Sequence, residues 1–391
     1  MQHKMEDILF QEFTVSKHFK LRTIDLLAFT FFTFFCVLMR VSLFPFVSGD
    51  YTQFLEKWFH TIKDNGGFSA LSISLGDYTP PYFYILAALT YLPIDSLVSI
   101  KLVSCIFDFI LAITIMKMAY AKYASTSVAI LSYGIALITP TILLNSACWA
   151  QCDVIYTTFL VLCVFAFMKD KPVLATSFFA IALCFKLQAI FIAPLLVVLW
   201  LKGKMKFLHF FLIPAIYIVS IIPSAIAGRN FFELLTIYIS QSGQYNKLSM
   251  NAPNLYIFIS QNTDKMIAMA AILLCLVEVL VAIYILIIKK FELTKDIIIS
   301  LALFFAILLP FLLPHMHERY FYVADVFSVL YAIYRPKKFY VAVLVIFSSL
   351  CSYLPFLFRE TPINLNYVAL IMLSSLIFLI IDLKNQIFIK N

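Results

Sequence analysis

Uninterrupted stretches of about twenty apolar residues recur along this chain, and they constrain its fold more than any other feature. An α-helix rises about 1.5 Å per residue, so such a stretch spans the roughly 30 Å hydrocarbon layer of a bilayer. Because the stretches are continuous rather than alternating, they exclude membrane-spanning β-strands. Hydrophobic residues make up 63% of the chain and charged residues 13%. We therefore predict an all-α polytopic membrane protein.

The apolar stretches and their flanks predict about twelve transmembrane helices. The predicted spans are 24–47, 97–117, 125–147, 154–168, 172–187, 189–201, 207–227, 266–288, 296–313, 321–334, 339–358 and 364–383. A further apolar segment at 80–93 is short and bounded by Pro80 and Pro93. We expect it to form an interfacial or half-buried helix rather than a crossing.

The distribution of Lys and Arg predicts the orientation of these spans. With the amino terminus placed inside, about two thirds of all Lys and Arg fall on the cytoplasmic side, as expected for inner loops. If the segment at 80–93 crossed the membrane, Lys117, Lys122, Lys169 and Lys171 would change sides and the pattern would be lost. The sequence thus predicts an integral multi-pass protein with both termini in the cytoplasm. The polar tail and the lack of any Asn-x-Ser/Thr sequon (x not Pro) favour a bacterial plasma membrane.

We predict one membrane domain over 1–391, with a cytoplasmic tail at 1–23 and two long outer loops at 48–96 and 228–265. In the first loop, residues 50–68 have the pattern of an amphipathic juxtamembrane helix that ends at Gly66-Gly67. Its apolar face is formed by Phe54, Leu55, Trp58, Phe59 and Ile62. Amphipathic segments of both loops could lie on the outer interface and enclose a cavity there.

Candidate functional residues cluster at the outer ends of the predicted spans. Asp50 directly follows the first span, where a carboxylate held at the membrane–water boundary is suited to general-base chemistry or is simply a solvated loop acid. Asp77 and Tyr78 precede the short proline-bounded helix, which Asp77 could cap instead of contacting a substrate. Gln151 and Asp153, beside a Trp, form a plausible sugar-binding group at the end of the third span.

Cationic candidates follow later in the chain. Lys186, with Gln188, lies between two short apolar stretches and is placed to bind a lipid phosphate or to extend to the interface. Arg229 begins the second outer loop and is a further candidate ligand for phosphate.

The segment His317-Glu318-Arg319 is the densest polar cluster in the apolar half of the chain. Its planar guanidinium could bind phosphate or carboxylate, while the neighbouring His and Glu could bind a sugar hydroxyl. Asp325, about one turn into the next helix, could hold that guanidinium. The spacing differs from the H-E-x-x-H zinc motif, and a purely structural ion-pair cluster is the alternative.

Several of these segments resemble, in order along most of the chain, the GT-C class of membrane glycosyltransferases. The resemblance is greatest to bacterial relatives of the second mannosyltransferase of GPI-anchor synthesis. The matching segments are SGDYTQFLEKWF…NGGF (48–68), DYTPPYFYILAALTYLP (77–93), SACWAQCDVIYTTF (146–159), FKLQAIF (185–191), NAPNLY (251–256) and LLPHMHERYFYVADV (312–326).

The resemblance implies an enzyme that moves a mannose-like hexose from a polyprenyl-phosphate donor to an acceptor glycan or glycolipid on the non-cytoplasmic face. It implies Asp50 as the base or an acceptor-orienting group, Asp153 as a second acid, and His317, Glu318 and Arg319 as a late motif. The mechanism that we expect is an inverting single displacement in which Asp50 removes the acceptor proton. Some members of the class hold a divalent cation such as Mg²⁺ or Mn²⁺ between acids, and others use no cofactor. If this chain holds one, Asp50 and Asp153 are the expected ligands.

A transporter or flippase of lipid-linked saccharides is the alternative function. It would require functional polar residues through the depth of the membrane or on both faces. Only two acids, Asp108 and Glu278, lie deep in predicted spans, and we expect both to bond inside the bundle. The expected partners are therefore the bilayer, a lipid-linked donor and a glycan acceptor. No segment combines dense Lys and Arg with aromatic residues, so nucleic acid is not an expected partner.

Overall fold

The computed structural model describes residues 9–16, 19–76, 78–241, 247–259 and 265–388 of the chain. A short antiparallel hairpin, β1 (Glu12–Ser16) with β2 (Phe19–Arg22), precedes the first long helix. Almost everything else is helical. The result is an all-α, multi-pass membrane protein, as the apolar stretches predict.

The first half of the chain contains α1 to α8. They are α1 (Thr23–Leu43), α2 (Glu56–Asp64), α3 (Pro80–Leu89), α4 (Ser96–Tyr123), α5 (Thr126–Ile138), α6 (Pro140–Leu143), α7 (Asp153–Phe167) and α8 (Pro172–Phe185). Wide π-type turns at Tyr51–Leu55 and Leu144–Cys148 lead into α2 and continue α6, respectively.

The second half contains α9 to α16. They are α9 (Ala193–Leu201), α10 (Leu212–Ile226), α11 (Phe231–Ser240), α12 (Lys265–Ile288), α13 (Lys295–Leu312), α14 (Tyr322–Tyr334), α15 (Tyr340–Leu357) and α16 (Leu365–Phe388). Short 3₁₀ turns, among them Leu187–Ile192, Phe207–Phe211 and Glu318–Phe321, lead into α9, α10 and α14. Two-residue strands β3 (Ser249–Met250) and β4 (Met316–His317) pair in parallel.

Seven helices of the described residues are long and apolar enough to cross a membrane, or eight if the bent pair α5 and α6 is one span. All twelve predicted segments are helical, but twelve crossings are not confirmed. The predicted spans at 154–168, 172–187, 189–201 and 321–334 form shorter helices, such as Tyr322–Tyr334 with 13 residues. Hydropathy alone does not decide whether these shorter helices cross the membrane, because a helix buried in protein is as apolar as one facing lipid.

The segments of the first predicted outer loop follow the predicted helical pattern. The chain is helical from Tyr51 to Asp64 and ends at Gly66 and Gly67, whose φ angles are +81° and +67°. Leu55, Phe59 and Ile62 of its apolar face are buried, whereas Phe54 stays largely exposed. The segment at 80–93 forms only the ten-residue helix α3.

Deep inside the bundle, Arg40 of α1 forms an ion pair with Asp108 of α4, with Nε 2.9 Å from Oδ2. Arg40 also donates to the carbonyl oxygens of Cys36 and Leu137, and Ser146 donates to Asp108. The expectation that Asp108 bonds inside the bundle is confirmed. The same expectation for Glu278 is wrong: it is exposed on α12 and lines an outward-facing groove, because that face of α12 is not covered by the described helices.

We expect Arg40→Leu to lower the free energy of unfolding by about 3–5 kcal/mol, because it leaves the buried Asp108 carboxylate without a cation. The double variant Arg40→Leu/Asp108→Leu should recover much of that loss. Thermal unfolding of the purified protein in detergent measures both, with the exposed Lys337→Gln as control. If the double variant is as unstable as the sum of the two single variants, the pair does not stabilise the bundle in this way.

Candidate functional site

The segment that carries Asp50 is fixed by hydrogen bonds from buried side chains. Lys101 of α4 is fully buried, and its Nζ donates to the carbonyl oxygens of Leu43, Phe44 and Phe46 at 3.2, 3.0 and 2.6 Å. Carbonyl oxygens at a helix end lack intrahelical partners. Of these three, that of Leu43 also accepts from the backbone N–H of Phe46 at 3.2 Å. Ser48 Oγ then donates to the carbonyl oxygen of Trp149 at 2.7 Å. The turn after α1 is thereby attached to the turn before α7.

Asp50 accepts three hydrogen bonds on one carboxylate oxygen, Oδ2. The donors are Trp149 Nε1 at 2.9 Å, Gln151 Nε2 at 2.6 Å and Arg319 Nη1 at 3.0 Å. They belong to two segments that are about 100 and 270 residues away in sequence. These contacts fix the carboxylate while its residue, 9% exposed, still lines a cavity.

Asp153, at the start of α7, is the second buried acid of the site. Its Oδ1 pairs with the ammonium of Lys186 at the end of α8, and its Oδ2 accepts from Asn145 Nδ2 at 2.9 Å. Arg319 Nε lies 3.9 Å from the same Oδ2. Arg319 therefore lies between Asp50 and Asp153, and its guanidinium carbon is 5.6 Å from the centre of the Trp149 ring.

The arrangement keeps Arg319 charged. Burial alone lowers the pKa of its guanidinium, but Asp50, Tyr78, Asp153 and Glu318 raise that pKa further, and the net result is well above the usual value. The predicted contact with Asp325 is wrong. Asp325 lies inside α14 and accepts from Ser349 Oγ of α15 at 2.7 Å, because its side chain points into the bundle rather than towards the helix end.

Glu318 and His317 are both neutral over a pH range in which an ordinary Glu or His side chain carries its charge. Burial raises the pKa of Glu318 to about 7, helped by Asp50 and Asp153 and opposed by Arg319. Burial, together with Arg319 and Lys186, lowers the pKa of His317 to about 3. His317 Nδ1 and Glu318 Oε2, which are 3.9 Å apart, therefore do not form a salt bridge.

Two cavities meet at this centre, and both are lined by Tyr78 and Arg319. The first, about 500 Å³ including its mouth, has Lys186 and Gln188 on its wall, together with Gln241 of the chain after α11. The second, about 540 Å³ including its mouth, is lined on the other side by Asp50, Trp58 and Gln151. The ammonium of Lys186 thus faces one cavity and the carboxylate of Asp50 the other.

The loop before Arg319 is held by residues 247–256 of the second predicted outer loop, which end with the NAPNLY segment. Strands β3 and β4 pair there, His315 Nδ1 lies 2.7 Å from the carbonyl oxygen of Lys247, and Tyr256 Oη donates to that of Leu312 at 2.6 Å. Asn254 Nδ2 also reaches the carbonyl oxygen of Leu313 at 3.4 Å. The role of this segment is therefore to position the His317-Glu318-Arg319 turn.

Most of the predicted site residues converge. The structure brings together Asp50, Tyr78, Gln151, Asp153, Lys186, Gln188, His317, Glu318 and Arg319 around the two cavities or in direct contact with their lining residues. Asp77 lies outside the described residues. The capping position before α3 belongs to Thr79, but its Oγ1 donates to the carbonyl oxygen of Cys184 at 2.5 Å instead of capping.

Arg229 is not brought to this centre. Its Nη2 donates to Ser74 Oγ at 3.0 Å, and Arg229 lines neither cavity, because the turn after α10 packs on the first outer loop instead. Asn145 and Lys101 are site-forming residues that sequence reasoning missed. The signal for each was a polar side chain within an apolar stretch, an amide at 145 and an ammonium at 101.

The donor set does not favour a metal ion. Among the described residues, no group of three or more His, Cys, Asp and Glu is placed to hold one. The guanidinium of Arg319 occupies the space between Asp50 and Asp153, and Lys186 is paired with Asp153. The two carboxylates are neutralised by these cations, so no step is assigned to a metal.

Comparison with protein-family models and with curated proteins gives no match for this chain. The resemblance to GT-C enzymes therefore depends on the short sequence segments given above.

The raised pKa of Glu318 predicts a pH-dependent stability. A carboxyl whose pKa is about 7 in the folded state, against an ordinary 4.5, binds its proton more tightly when folded. Its stabilising effect is therefore complete below pH 4.5 and is lost as the pH rises to about 7. Between pH 5 and 8, we expect the wild type to lose about 3 kcal/mol more than Glu318→Gln in free energy of unfolding.

Thermal unfolding in detergent across this pH range measures the difference. The exposed Glu360→Gln should follow the wild type and serves as the control. Parallel curves for the wild type and Glu318→Gln would show that Glu318 is ionised throughout.

Proposed function

We propose that this protein is an inverting glycosyltransferase that moves a mannose-like hexose from a polyprenyl-phosphate donor to the hydroxyl of an acceptor glycan or glycolipid, on the non-cytoplasmic face. The observation that carries the proposal is the placement of a carboxylate and two cations on a common wall between two cavities. A displacement that releases a phosphate needs a base on one side of the reacting carbon and positive charge on the other.

Asp50 is assigned as the base. All three donors to its carboxylate reach Oδ2, so Oδ1 is the oxygen that we assign to the acceptor proton. The acceptor would lie in the cavity of Asp50 and Trp58, where aromatic side chains offer flat faces to a sugar ring. As the acceptor oxygen attacks the anomeric carbon, its proton passes to Asp50.

Lys186 and Arg319 are assigned to the donor phosphate. Both line the other cavity, whose further polar lining includes Gln188 and Gln241. When the bond between the anomeric carbon and the phosphate oxygen breaks, negative charge accumulates on the phosphate, and these two cations would stabilise it. Asp153, Asn145 and Trp149 then act as positioning residues, since they hold the two cations in place.

The site lies at helix ends, which suits a lipid-linked donor. Asp50 follows α1, Asp153 starts α7, Lys186 follows α8 and Arg319 follows α13. A polyprenyl chain can remain among the helices while its phosphate reaches the membrane boundary. The transporter alternative has less support. The deep acid Asp108 is paired with Arg40, so its carboxylate is not free to bind a saccharide on a path across the membrane.

We expect Asp50→Asn to lower the turnover number by about 10²–10⁴, the usual contribution of a general base. The test incubates purified protein in detergent with a panel of radiolabelled polyprenyl-phosphate sugars and a glycolipid acceptor fraction. The matched control is Asp64→Asn, an exposed acid on the same helical segment. Because detergent removes any transmembrane gradient, product formed there also distinguishes a transferase from a transporter.

Substitution of a cation should change different kinetic parameters from substitution of the base. Replacing Lys186 by Met should raise the KM for the donor as well as lower turnover, because the phosphate is bound before the reaction and stabilised during it. The exposed Lys57→Gln should match the wild type. Near wild-type transfer by Asp50→Asn, or no transfer from any polyprenyl-phosphate sugar, would refute the proposed activity.

A further inference from the structure

A large apolar groove lies at the end of the bundle opposite to the Asp50 site. Helix α4 begins at Ser96, whose Oγ is 2.7 Å from Tyr51 Oη beside Asp50. Lys117 lies about 30 Å further along the same helix at 1.5 Å per residue. Helix α7 likewise begins at Asp153 and ends just before Lys169. Both lysines therefore lie towards the end of the bundle away from the Asp50 site, and both line the same groove.

The groove is formed by helices α1, α4, α5 and α7 and has an apolar lining. Phe29 of α1, Met116 of α4 and Phe165 of α7 are among its walls, and its empty space, mouth included, is about 1170 Å³. Lys117 and Lys169 are the two charged residues of its lining, and the ammonium of Lys169 lies 4.3 Å from the centre of the Phe165 ring. An apolar slot with cations at its end matches a lipid with an anionic head.

Neither of these lysines has an acidic partner within the part of the chain that the structure describes. Their neighbour Lys122, by contrast, pairs with Asp296 at 2.8 Å. Two exposed ammonium groups beside an apolar groove can neutralise a phosphate without first breaking an ion pair.

A second, polar cavity adjoins the groove and shares Tyr120 and Thr126 with it. Its lining includes Ser125, Ser127 and the ion pair of Arg22 with Asp25, whose Nε and Oδ2 are 3.0 Å apart. Beyond the phosphate position there is thus room for a hydroxyl-bearing head group. A polyprenyl monophosphate ends at its phosphate and would leave this cavity unused.

We propose that this groove is a binding site for an anionic glycerophospholipid of the leaflet opposite to the Asp50 site. One acyl chain lies along Phe29, Met116 and Phe165, the phosphate lies between Lys117 and Lys169, and the head group extends towards Ser125 and Ser127. The site does not depend on glycosyl transfer, since its residues are separate from those around Asp50.

The test uses the full-length protein in phosphatidylcholine vesicles that contain a small fraction of phosphatidylglycerol with a photoreactive diazirine on its acyl chain. After illumination, mass spectrometry identifies the labelled peptides. We expect label on the segments of α1, α4, α5 and α7 that line the groove. Unlabelled phosphatidylglycerol should suppress this labelling, whereas additional phosphatidylcholine should not.

Two variants separate charge from shape. Lys117→Gln/Lys169→Gln should lower the labelling of these segments on the order of tenfold, because the phosphate loses both cations. Ala121→Trp, at an exposed position of the lining, should block the groove and abolish labelling while the fold is kept. The control Lys337→Gln/Lys338→Gln removes two lysines that do not line the groove and should leave labelling unchanged. Unchanged thermal unfolding in detergent establishes that each variant is folded.

Four outcomes would overturn the proposal. These are equal labelling of the Lys117→Gln/Lys169→Gln variant, equal competition by phosphatidylcholine, stronger competition by a polyprenyl phosphate, and a rise in labelling when residues 1–8 are deleted. The last outcome would mean that the chain's own amino terminus occupies the groove.

Discussion

The arrangement of this site depends on the guanidinium of Arg319, which lies between two buried carboxylates. Asp50 accepts a hydrogen bond from it at 3.0 Å, and Asp153 lies 3.9 Å from its Nε. Buried charges are costly unless they are paired, so each of these groups requires the others to be in place. The turn after α1, the turn before α7 and the turn before α14 are held together for this reason.

The hydrogen bonds around this centre extend the same constraint outward. Lys101 fixes the end of α1, and the NAPNLY segment fixes the loop that precedes Arg319. Both act on backbone carbonyl oxygens that helix ends leave without partners. The rigidity of the site therefore comes from the helix ends themselves, which explains why residues far apart in sequence can meet at one end of the helix bundle.

The sequence predicted most of the residues that converge at this centre, because polar residues are conspicuous in an apolar chain. Asp50, Asp153, Lys186 and Arg319 each interrupt or end an apolar stretch, and all four meet in the structure. It was wrong about the contact between Asp325 and Arg319, since position along a helix does not say which way a side chain points. Arg229 was assigned to the site only because it begins the second predicted outer loop, but its guanidinium donates to Ser74 instead.

What the sequence determined by itself is the class of the fold, since continuous apolar stretches with no alternation can only be satisfied as helices in a bilayer. It also indicated that the deep acid Asp108 needs a polar partner, although the same expectation failed for Glu278. Only the tertiary structure decided the pairing of Asp108 with Arg40, the division of the centre into a cationic and an acidic cavity, and which apolar helices are enclosed by others. The physical reason is that hydropathy records the cost of leaving water, whereas these features depend on the direction of side chains and on contacts between segments that are distant along the chain.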